Sequence, residues 1–338
     1  MKFKKSIKKS KTRVNNHLSK KFHRSFRLTK RRDYNKPIKL TGNIIFTKKV
    51  FGIIWKNKNL FIFLVLFYAL ATLLIVGLAS QDTYTALRST LDQTSGNFLT
   101  GFWGEIGKSG LMLTTAITGG LSSGLSEVQQ VYAGILLLIT WLTTIWLLRN
   151  VMAGQKVKLR DGLYNASAPL IPTFLISLLA LIQLLPLALV IIGYSAASTT
   201  GLLDSGIEAM LFWVVAFLLT TLSIYWLTST LFSLIIITLP GMYPMRAIKS
   251  SSNLVYGRRL AVIYKIFWGL LITAIAWALI MIPTMMLENW LKTVWVFLDS
   301  IPIIPMLLLI LTSITVVWLS SYIYIFYREV VDNDDKNN

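Results

Sequence analysis

The sequence predicts an all-α, polytopic membrane protein: six transmembrane helices, short interfacial amphipathic helices and a disordered basic N-terminal tail. Three observations predict it. Six long apolar stretches match the roughly 20 residues that cross a hydrocarbon core of about 30 Å. The 338 residues are 54% apolar and only 14% charged, against about 45–50% and about 25% in a soluble domain. The net charge of +20 is crowded towards the N-terminus.

The tail comes first. Residues 1–40 hold sixteen Lys and Arg and one acid, Asp33. Low hydrophobicity with high net charge predicts disorder over 1–42. The charged run is too long for a cleavable leader and the first apolar run is a full span, so that run reads as an uncleaved signal anchor. The six-span membrane domain is expected over 43–328, with a short C-terminal tail over 329–338.

The spans follow in order. The first covers about 60–79, and a polar, Gly-rich segment reaches 125. The second covers 127–148 and opens on a capping box, Ser126 with Gln129. The third covers 168–194, the fourth 209–239, ending at Pro240-Gly241, the fifth 261–282 and the sixth 303–327. Pro172, Pro186, Pro283 and Pro305 fall inside or near them, as membrane helices tolerate when neighbours satisfy the freed backbone groups. Residues 95–125 are too short and too interrupted by glycine for a clean span, and read as interfacial or re-entrant.

Orientation follows from the links. The tail, the link after span two (Arg149, Lys156, Lys158, Arg160) and the link after span four (Arg246, Lys249, Arg258, Arg259) are basic. The links between them are mixed or acidic, as with Asp204 and Glu208. Positive charge stays on the cytoplasmic side. The expected location is the cytoplasmic (inner) membrane, with both termini cytoplasmic.

Each basic segment leads through a short amphipathic stretch into a pair of spans, which makes a weak threefold repeat. The stretches are 47–55, 157–165 and 245–256. In the third, Ala247, Ser251, Leu254 and Tyr264 fall broadly on one side, with Arg246, Lys249 and Arg258 towards lipid phosphates. Such a helix lies in the interface plane; ordinary basic loops are the plain alternative. Arg160, Arg246, Lys249, Arg258 and Arg259 are the candidate contacts to anionic headgroups.

In that third segment, Ala247, Ser251, Leu254 and Gly257, followed by Arg258-Arg259, form the pattern A-x-x-x-S-x-x-L-x-x-G-(basic). It resembles a segment of bacterial multi-pass proteins related to the membrane domain of glycerophosphoryl diester phosphodiesterases and to YciC-like membrane proteins. The motif covers about fifteen residues, and the six-span layout extends a looser likeness over about 43–327. The resemblance implies a helical membrane module. It carries no phosphodiesterase activity here, because a (β/α)₈ barrel needs about 250 residues and neither tail has them. The four motif residues are expected to be structural, with Gly257 ending a helix at positive φ.

Inventory narrows the chemistry. The absence of cysteine removes disulfides, thiolate metal sites and cysteine nucleophiles, and the only histidines, His17 and His23, lie in the tail. No metal site, cofactor or catalytic residue is expected, and the chain reads as a non-enzyme. Lys265 is expected to snorkel from the start of span five to the interface, leaving no ionisable group deep in a span. Gln183, Thr220, Ser223, Ser229 and Thr230 have two readings. They are helix-packing hydroxyls and amides, or they line a polar path for a small or lipidic solute between spans three and four. The tail has three readings: a topology determinant and nothing else, a binder of anionic headgroups, or a non-specific binder of nucleic acid; an unknown protein partner also stays open. The favoured function is a membrane module organising lipids or partner proteins. The alternative is a transporter or channel-like protein.

Overall fold

A computed structural model describes residues 40–76, 127–201, 203, 206–294 and 303–336. The tail, the capping residue Ser126 and the segment 95–125 lie outside these. The described residues form helices and no strand. They are α1 (Asn43–Lys56), α2 (Lys58–Ala71, running on into a π turn, Thr72–Val76), α3 (Glu127–Met152), α4 (Leu159–Ala166), α5 (Leu170–Gln183), α6 (Leu185–Thr199), α7 (Gly206–Ile236), α8 (Pro244–Val255), α9 (Arg259–Val294) and α10 (Ile303–Lys336). Six stretches are long and apolar enough to cross a membrane: Lys58–Ile75, Val128–Met152, Leu170–Thr199, Gly206–Ile236, Arg259–Thr284 and Met306–Asn333. The protein is an all-α, multi-pass membrane protein.

Helix boundaries follow local chemistry. The third span is two helices rather than one. α5 ends at Gln183, Leu184 joins it to α6, and Pro186 lies in the first turn of α6, where its missing N–H costs nothing. Pro283 stays inside α9. α1 stops at Asn57, whose side-chain amide donates to the Ile53 carbonyl (3.0 Å). α8 stops before Gly257, whose φ of 75° is the left-handed conformation expected there; only glycine takes it without strain. The last helix runs past the expected end of the sixth span at 327. α10 continues unbroken to Lys336, because Glu329 and Val330 are still buried.

α1, α4 and α8 each precede a pair of spans, so the chain is built three times over on one plan. Their packing follows the same rule each time. α4 packs on α3 and α2, and α8 packs on α7 and α5. α1 packs on α10 and α9, the last two spans. Each short helix thus covers both spans of the preceding unit, and α1 closes the ring by covering the final one.

The short helices fold back along span ends instead of projecting sideways from them. Ala247 clusters with Ile236 and Ile237, and four residues later Ser251 meets Ser233; the chain directions of α8 and α7 therefore oppose. Gly162 of α4 faces Leu147 and Thr143 of α3, where a Cβ would lie 3.0 Å from Leu147 Cδ2. Phe46 of α1 stacks edge-on against Tyr322 (5.0 Å) and Phe326 (6.1 Å) of α10. The main core gathers here, around Phe46, Val50, Leu64, Ile145, Leu148, Phe232, Val255, Val262 and Phe326. At 1.5 Å per residue, α7, α9 and α10 measure about 46 Å or more. That exceeds a ~30 Å hydrocarbon core and leaves length for this capped end.

Candidate functional site

The polar residues of spans three and four meet at the α5–α6 break. Pro186 supplies no N–H, and the break disturbs the ladder of backbone bonds on either side of it. Ser223 of α7 accepts a hydrogen bond from the Leu187 N–H (3.2 Å). Seven residues further along α7, about two turns, Thr230 Oγ1 donates to Gln183 Oε1 (2.6 Å). Ser229 bonds inside its own helix, to the Trp226 carbonyl (2.9 Å). Thr220 is half-buried further along α7. The structure therefore pairs Gln183 with Thr230 and seats Ser223 on the break. Both contacts join helices, and Ser229 takes part in neither.

In α8 the buried face is Ala247, Ser251 and Val255, with Leu254 half-buried beside it. The Ser251 hydroxyl shares a 2.6 Å hydrogen bond with Ser233 and also reaches the Ile248 carbonyl. Small residues allow that approach. Tyr264, expected on this face, lies on α9 and is 60% exposed. Gly257 turns the chain between the two helices, so the face cannot extend past it.

The candidate headgroup cations separate into three groups. Arg160 on α4, and Arg246 and Lys249 on α8, are exposed. Arg259 is half-buried, with its guanidinium 3.6 Å from the Tyr225 ring centroid and Nη1 donating to the Tyr225 carbonyl (2.6 Å). Arg258, expected at the phosphates, is only 5% exposed. It follows Gly257 directly, and the turn at that glycine directs it into the protein while Arg259 begins α9. A similar contact braces the second repeat: Arg149 donates to the Thr238 carbonyl (3.0 Å), beyond the end of α7.

Lys265 departs furthest from expectation. It does not snorkel; it is 1% exposed. Its ammonium donates to the Thr41 carbonyl and lies 4.5 Å from the centroid of the Phe46 ring. The Thr41 N–H in turn donates to Glu329 Oε1 (2.6 Å). Glu329 is 8% exposed, and its Oε2 has no hydrogen-bond partner in the protein. Tyr322 donates to the Lys265 carbonyl (3.0 Å). A buried acid and a buried base thus grip the backbone on either side of one α-carbon. Residue order hid this cluster, since Glu329 lies 288 positions from Thr41 and falls just past the apolar run of span six. One signal was available. Tyr322, Phe326 and Glu329 are spaced by four and three, which places the acid on the same helical face as two aromatics.

Among the described residues no group of His, Cys, Asp and Glu could hold a metal ion. No protein-family model, curated protein or solved structure matches this chain.

Proposed function

We propose that this chain is a non-enzymatic membrane module that organises anionic lipids or partner proteins at the cytoplasmic membrane, with both termini in the cytoplasm. The observation that carries this reading is the repeated exposure of cations on the short helices. Lys48, Lys49 and Lys56 on α1, Arg160 on α4, and Arg246 and Lys249 on α8 are all exposed beside apolar span faces. A cation next to lipid-facing surface attracts anionic headgroups by about 1 kcal/mol per residue. The basic residues of 1–40 add to the same attraction. Gln183, Ser223 and Thr230 are engaged in contacts between helices, which favours a packed module over a solute path. The motif through Ala247, Ser251, Leu254 and Gly257 is read as a feature of the fold, in keeping with the resemblance to the phosphodiesterase membrane domain.

Two experiments test the proposal. In nanodiscs of mixed neutral and anionic lipid, Arg160→Gln/Arg246→Gln/Lys249→Gln should lower the enrichment of anionic lipid in the annulus. Unchanged enrichment sinks the lipid reading. For topology, the cysteine-free chain accepts single reporters. In intact cells an impermeant thiol reagent should label Ser198→Cys and should reach Asn337→Cys only after lysis. The opposite pattern refutes the assigned orientation.

A further inference from the structure

The geometry points to a peptide-binding seat built between α9 and α10, whose occupant is the chain's own residues 41–50. This inference is independent of the proposed function. α4 and α8 reach their seats through short links, 153–158 and 237–243. Chain connectivity keeps them near α3 and α7. α1 has no direct link to α10; it is joined through Asn57 to α2, which packs on α10. Its seat between α9 and α10 is then fixed by specific contacts.

The seat has two parts. One reads main chain. Lys265 takes the Thr41 carbonyl and Glu329 takes the Thr41 N–H, and hydrogen bonds to charged groups are about twice as strong as neutral ones. The other part reads side chains. Phe46 enters an aromatic pocket of Tyr322 and Phe326, itself packed on Phe232 (5.6 Å from Phe326), and Val50 is fully buried in the same core. The ligand class is a peptide that enters at a clamped residue and presents an aromatic five residues later and an aliphatic four beyond that. Tyr322 braces the seat by donating to the Lys265 carbonyl, and Gly269 lets its ring approach, since a Cβ there would lie 2.7 Å from Tyr322 Cε1. Neither charge binds the other directly. Each binds the peptide, so removing either should open the same latch.

The test uses the full chain. A single cysteine at Val50→Cys reports departure of α1, and one at Ser251→Cys, on α8, reports general loosening. Lys265→Met and Glu329→Leu should each speed maleimide labelling of Val50→Cys by about tenfold or more, the factor expected for one lost charged hydrogen bond. Glu329→Gln, which keeps an acceptor oxygen, should raise it less. Ser251→Cys should stay protected throughout. The exchanged pair Lys265→Glu/Glu329→Lys distinguishes the seat from an ion pair. An ion pair would be restored by the exchange. In the seat, a carboxylate would face a carbonyl and an ammonium would face an N–H, so Val50→Cys stays reactive. Unchanged labelling in the single variants, protection recovered by the exchange, or parallel exposure of Ser251→Cys would each overturn the inference.

Discussion

α3 and α10 at the centre of the bundle contrast with the hairpin of α5–α6 and α7 at its side. Of the most apolar window in each central span, 44% is buried; in the hairpin the shares are 6% and 11%. Yet the hairpin is at least as apolar as the centre. Lipid tails are as apolar as leucine, so hydrophobicity does not draw a span inward. Hydroxyl side chains do not separate the two regions either, since α7 also buries Ser223, Thr228, Thr230 and Ser233. Thr140, Thr143 and Thr144 on α3 and Ser313, Thr315, Ser320 and Ser321 on α10 are buried. Several return their hydroxyl to the carbonyl four residues back, as Thr144 does to Thr140 (2.7 Å). That leaves a smooth surface for close packing. The hairpin also presents Ile171, Leu181, Leu189, Ile192, Phe217 and Leu218, all exposed.

The largest expected difference between the regions comes from truncating a ring. Phe46→Ala empties an aromatic pocket of the core and should cost about 3–5 kcal/mol. Leu189→Ala on the hairpin removes a lipid-facing side chain and should stay within about 0.5 kcal/mol. Thermal unfolding in one detergent measures both, and equal losses would erase the distinction.

A smaller effect tests how tightly the centre is packed. Gly269→Ala drives a methyl into the Tyr322 ring, whose hydroxyl is tied to Lys265, so the ring cannot simply swing away. Overpacking of this kind costs about 1–3 kcal/mol. Gly193→Ala on α6 is the matched control, since its Cβ would meet Phe212 at an ordinary 3.5 Å. Comparable melting shifts for the two would argue against a tightly packed α9–α10 contact.

At the turn between α8 and α9, Gly257→Val forces a branched residue to positive φ and should cost about 1–3 kcal/mol. Beside it, Ser251→Ala should be nearly silent, whereas Ser251→Leu should crowd Ser233 and lower expression. An activity lost in Ser251→Ala at unchanged stability would make the hydroxyl chemical and overturn the non-enzyme reading.

The smallest effect lies inside the hairpin. Gln183→Leu or Thr230→Val alone should cost about 0.6 kcal/mol, the average for an interhelical polar pair. The double variant should cost little more, because it leaves neither partner unpaired. A double-mutant cycle in detergent that gives zero coupling would remove the pair as a link between α5 and α7.

Much of the candidate site was legible only as residue type. The hydroxyls of α7 were visible in the sequence; their partners were not, because a serine or threonine can bond its own helix or a neighbour with equal local logic. Ser223 and Ser229 show the two outcomes six residues apart. Arg258 and Arg259 are adjacent and chemically identical, yet one is buried and the other reaches Tyr225. The direction in which a helix restarts after a glycine turn separates them, and no composition rule contains that.

Six spans, the wholly helical class and the left-handed turn at Gly257 were determined by sequence alone. Each depends on interactions within a few residues: apolar length against bilayer thickness, or the freedom of a residue without Cβ. The tertiary structure decided which spans form the centre, that the short helices fold back along span ends, and that α1 closes the ring on α10. It also decided that Lys265 turns inward. Its partner Thr41 is 224 residues away, and the carbonyl and aromatic ring that replace water around the ammonium are present only once both ends of the chain have met.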